Sequence, residues 1–88
     1  RILFDNDKAG KKESLNFINK GYRVFMWSKI LSELKIKYPG YIKDINNIKD
    51  VNDLYSFYKN INSDIKFLEF NEIISNNFTE SMYDLLHI

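Results

Sequence analysis

Leu3-Phe4-Asp5-Asn6-Asp7-Lys8-Ala9-Gly10 decides the reading of this chain. Arg1 to Phe4 is a short, mainly apolar run that stops at Asp5, the pattern of a buried strand meeting a turn. From Lys8 to Lys20, Ala9, Leu15, Phe17 and Ile18 fall on one side of a helix, and Lys11, Lys12, Glu13 and Asn16 on the other. Gly21 stands where a helix stop is expected. Tyr22 to Trp27 is β-rich and reads as a second strand. Strand, helix and strand in this order predict a right-handed βαβ unit. The expected fold class is therefore α/β, a small parallel sheet with flanking helices.

Further along, Ser28 to Tyr38 reads as a helix broken by Pro39-Gly40, and Tyr41 to Ile48 as loop. Asp50 to Lys59 has helical spacing, with Leu54, Phe57 and Tyr58 inward. Ile65 to Phe70 alternates well enough to be read as a strand, and Thr79 to Leu86 as a terminal helix capped by Thr79. No linker is visible, so residues 1–88 read as a single domain. The chain opens at Arg1 rather than Met, directly on a strand-like run, as expected of a piece of a longer protein.

The composition narrows the chemistry. Hydrophobic residues make up 44% of the chain, enough for one packed core. The net charge is only +1, so binding of nucleic acid would need a local basic patch. Lys8, Lys11, Lys12 and Lys20 give the first helix such a face, although a solvated face is its ordinary use. With no cysteine, disulfide frameworks and thiolate metal sites are excluded. No apolar run approaches the roughly 20 residues that span a bilayer, and no signal peptide is visible, so no membrane partner is expected. His87, the only histidine, reads as part of a solvated terminus, and Trp27 and the other aromatics as core.

Asp5 and Asp7 would lie at the carboxyl end of the first strand, where open α/β sheets place ligands. Two carboxylates at i and i+2 repel one another unless a cation lies between them. Oxygen ligation of this kind suits Mg²⁺ or Mn²⁺. Gly10 permits a tight turn into the helix, whose first N–H groups would favour a phosphate. An EF-hand does not fit, because Ala9 and Asn16 fall where that loop needs a ligand and a bidentate Glu. A solvated turn or helix cap is the simpler use of a bare Asp-x-Asp pair, as it is of Asp50 and Asp53.

Phe4-Asp5-Asn6-Asp7-Lys8-Ala9-Gly10 resembles the Tyr-Asp-Gly-Asp-x-Ala-Gly segment of the Toprim domain in DnaG-type and phage DNA primases. Lys49-Asp50-Val51-Asn52-Asp53-Leu54 is similar to the Lys-Asp-Pro-Asn-Asp-Leu-type segment of phage primases. The resemblance covers about residues 1–58 and implies the C-terminal part of a Toprim-like module. It implies Asp5 and Asp7 as catalytic metal ligands and Asp50 as a further ligand. Lys8, Gly10, Lys49 and Asp53 would lie near the phosphates or the metal. Asn52 falls where cellular primases usually carry a second acid, and is at most a metal-proximal group.

The function so implied is metal-dependent synthesis of RNA primers on single-stranded DNA template from nucleoside triphosphates, with a replicative helicase as a further expected partner. The setting would be the cytoplasm of a bacterium or of a phage-infected host cell. A Toprim site also needs a Glu from an earlier strand, so the 88 residues alone are expected to be inactive. Two alternatives stay open: another Toprim enzyme, such as a topoisomerase or nuclease, and a non-catalytic α/β module for interaction or phosphate binding.

Overall fold

In a computed structural model, which describes residues 1–87, the fold is mostly helical (65%). The order is α1 (Lys8–Asn19), β1 (Val24–Phe25), α2 (Trp27–Lys37), a 3₁₀ turn (Pro39–Tyr41), α3 (Ile42–Asn46), α4 (Val51–Ile61), α5 (Phe67–Ser75), β2 (Phe78–Thr79) and α6 (Met82–His87).

The expected parallel sheet with flanking helices is not what the chain builds. Among the described residues the one sheet has two strands, β1 and β2, paired antiparallel with Val24 opposite Thr79 and Phe25 opposite Phe78. Among the described residues parallel pairing is confined to a single bridge between Ile2 and Val24. Ile2 N–H donates to Arg23 at 2.8 Å, and Phe25 N–H donates back to Ile2 at 3.0 Å. The β-rich run Tyr22–Trp27 yields only two strand residues, because Met26 N–H turns to the Asn77 carbonyl (2.7 Å) and Trp27 already begins α2. Burial, not sheet formation, accounts for the apolar character of Val24, Phe25, Met26 and Trp27, all of which are buried.

The expected strand Ile65–Phe70 is also overturned. Most of it lies in α5, where Phe70 is buried and Ile73 and Ile74 are half-buried at helical spacing, while Phe67 and Leu68 are exposed. Two periodicities fit so short an apolar run, and the residues beyond it decide for the helix. Tyr41–Ile48, read as loop, carries the last residue of the 3₁₀ turn and the whole of α3. Ser81 rather than Thr79 caps α6, its Oγ accepting from Asp84 N–H at 3.2 Å.

The turn from α1 into β1 follows the sequence closely. Gly21 has φ 90°, a left-handed conformation that suits glycine. Its N–H donates to Ile18 at 3.0 Å and that of Tyr22 to Phe17 at 3.1 Å, closing the helix as a Schellman motif. The core gathers Phe25, Trp27, Ile30, Leu34, Ile45, Ile48, Leu54, Phe57 and Phe70 from β1, α2, α3, α4, α5 and the turn before α4. Among the described residues no helix is long and apolar enough to cross a membrane.

Candidate functional site

The Asp5–Asp7 turn is built by three constraints. Asp7 is the N-cap of α1, and its Oδ1 accepts from Gly10 N–H at 2.7 Å. Gly10 is buried against the backbone of Asp5, and an added Cβ would collide with the Asp5 carbonyl oxygen. Glycine is thus required by close approach, not by an unusual φ. Asn6, between the two acids, is bound to a distant segment: its side-chain amide donates to the Ile48 carbonyl at 2.8 Å, and its backbone N–H to that of Lys49 at 2.6 Å.

The second segment is a mutually capped turn. Asp50 is the N-cap of α4, and its Oδ1 accepts from Asp53 N–H at 2.8 Å. Asp53 answers through Oδ2, which accepts from Lys49 N–H at 2.9 Å. This reciprocity resembles a capping box and suits the positive end of the helix dipole. Through Asn6, the starts of α1 and α4 are held beside one another although they are far apart in sequence.

The expected site residues are distributed around this junction. Asp5, Asp7 and Lys8 are exposed. Lys49, Asn52 and Asp53 are exposed and Asp50 half-buried. Asp5 lines one cleft of about 270 Å³, which is mainly apolar and floored by Phe25 and Trp27. Lys49 lines a second, of about 370 Å³. Asp53 opens on a different depression, beside Asp44 and Asn47. His87 ends α6, and its side chain lies outside the described residues.

The fit to a divalent cation is partial. Among the described residues no three acidic, histidine or cysteine side chains come together as a metal cage. Asp7 and Asp50 each commit one oxygen to a backbone N–H, and each keeps a second. One or two carboxylates with substrate phosphates and waters are a common environment for Mg²⁺, which asks less of the protein than an all-protein cage.

Sequence reasoning missed Asn6 as the joint between the two segments, and Lys35, Ser28, Ser32 and Asn46 as lining of the second cleft. Asn6 had a signal, since an amide between two acids is suited to bind a neighbouring backbone. Lys35 had none: only the packing of α2 beside α3 and the Lys49 turn brings it there. Comparison of the chain with models of protein families, with curated proteins and with solved structures finds no match.

Proposed function

We propose that this chain is part of a DNA primase that makes RNA primers on single-stranded DNA by metal-assisted nucleotidyl transfer. The observation that carries the reading is the Asn6 junction. Its bonds to Ile48 and Lys49 hold side by side the two segments that resemble primase sequences. The reading rests on these two turns and not on a parallel sheet.

In this account Asp5 and the uncommitted oxygen of Asp7 would hold Mg²⁺ or Mn²⁺, with Asp50 at the edge of the same junction. When bound, the ion supplies neutralisation of phosphate charge during in-line attack by a 3′-hydroxyl. Lys8 and Lys49 add positive charge beside the phosphates, and the start of α1 adds the partial charge of its N–H groups. Asn6 acts by positioning, because it fixes one turn against the other. Template, nucleoside triphosphates and a replicative helicase are the partners that follow from this reading.

One observation favours a second reading, a non-catalytic phosphate-binding module: Asp7 and Asp50 both already serve as helix caps. Asp7→Asn in the full-length parent protein separates the two. Asn caps a helix about as well as Asp, so the fold is retained while the charge is removed. Primer synthesis is expected to fall by about a hundredfold or more. Unchanged synthesis would remove Asp7 from the chemistry and leave the cap as its whole role.

A further inference from the structure

The two clefts beside the junction differ in character and share a wall. The first is mainly apolar, lined by Leu15, Phe25, Trp27 and Leu85 with Asp5 among its few polar groups. The second is mainly polar and lined by Lys11, Lys35 and Lys49, with Asn6, Ser28, Ser32 and Asn46 around them. Lys11 and Ser28 line both.

Three cations from three separate elements (α1, α2 and the turn before α4) line the second cleft, with no carboxylate among the described residues that line it. In a chain of net charge +1 this is a local concentration, not a consequence of bulk charge. Like charges gathered by folding repel one another, and an anion between them relieves that repulsion. A phosphate chain meets this requirement with donors from Lys, Ser and Asn side chains. The neighbouring cleft has the opposite character, with ring and aliphatic surface suited to a flat, weakly polar group. Together the two are of the size at which small ligands are enclosed.

We propose that the two clefts form one metal-independent nucleotide site: the base lodges in the apolar cleft over Trp27, and the phosphates lie among Lys11, Lys35 and Lys49. This inference rests on the phosphoryl-transfer reading above only for its biological use. Asp5 and Asn6 of the acidic turn help to line the site, but the site requires no cation. The polar cleft alone would take any small polyanion; its apolar neighbour makes a nucleoside phosphate the better match.

The test uses the chain in EDTA, with ATP, tripolyphosphate and adenosine as separate probes. Trp27 is the only tryptophan, so its fluorescence reports on the apolar cleft. Amide shifts at Lys11, Lys35 and Lys49 report on the polar one. ATP is expected to change both sets of signals saturably, and tripolyphosphate only the lysine set. Adenosine should act on Trp27 more weakly than ATP. Lys35→Ala and Lys49→Ala should each weaken ATP binding by about tenfold, with Trp27 emission of the free protein unchanged. Three results would overturn the proposal: no saturable change at millimolar ATP, ATP shifts no different from those of tripolyphosphate, or unaltered affinity in both variants. A separate Mn²⁺ titration keeps the two readings distinct. ATP binding in EDTA without metal binding at Asp5 and Asp7 would sink the metal-assisted account and leave the nucleotide site. The reverse pattern would sink the nucleotide site alone.

Discussion

The side-chain amide of Asn6 donates to the Ile48 carbonyl, 42 residues away, at 2.8 Å. Ile48 is itself buried in the core cluster, so this bond ties the acidic turn to the packed core. Asn6→Ala leaves a half-buried carbonyl without its donor. It should lower the unfolding free energy by about 1–2 kcal/mol, read from urea denaturation. It should also broaden amide signals across both turns. An unchanged urea midpoint would mean that the turns are held together by other contacts.

Gly10→Ala sets two principles against each other. In an exposed helix the change would stabilise by up to about 1 kcal/mol. Here the new methyl meets the Asp5 backbone, and overpacking of this kind costs about 1–3 kcal/mol. The net effect should be destabilising. A raised urea midpoint would show that α1 moves away from Asp5 at little cost.

The caps at Asp7 and Asp50 can be separated from their charges. Asp7→Ala and Asp50→Ala should each cost about 1 kcal/mol, and the corresponding Asn variants only a few tenths. Thermal or urea unfolding of the four proteins checks the pattern. Equal losses in the Ala and Asn variants would assign the stabilisation to charge rather than to the hydrogen bond.

Tyr58 offers a handle on pH. Burial, with smaller contributions from Tyr38 and Glu33, pushes its phenol from 10.0 up to about 12. The unfolded chain therefore releases this proton at lower pH than the folded one. The stabilisation from the neutral phenol is fully present below pH 10 and is lost as pH rises through about 12. Tyr58→Phe should make the fall in stability across that window shallower than in the wild type. Parallel curves for the two proteins would contradict the shift.

The local geometry of two turns was legible in the sequence, and less of the fold. The cap at Asp7 and the stop at Gly21 could be read because each depends on contacts within one turn. Gly10 was singled out for the right place but a different reason, since its constraint is the Asp5 backbone, not the turn itself. The sheet was misread because Tyr22–Trp27 and Ile65–Phe70 carry β-type residues whose burial is met by helix packing. Local propensity says that such residues leave water, not which partner covers them. The junction through Asn6, and the gathering of Lys11, Lys35 and Lys49, are products of tertiary structure that no local spacing encodes.

The central claim is that the Asp5–Asp7 turn and the Lys49–Asp53 turn form one cation-binding edge. A Mn²⁺ titration followed by NMR tests it most directly. The account predicts selective broadening of Asp5, Asp7, Lys49 and Asp50 amides at low millimolar metal, reversed by excess Mg²⁺ and lost in Asp7→Asn. Broadening spread evenly over all exposed acids, including Glu69 and Glu72 on α5, or unaltered in Asp7→Asn, would contradict it.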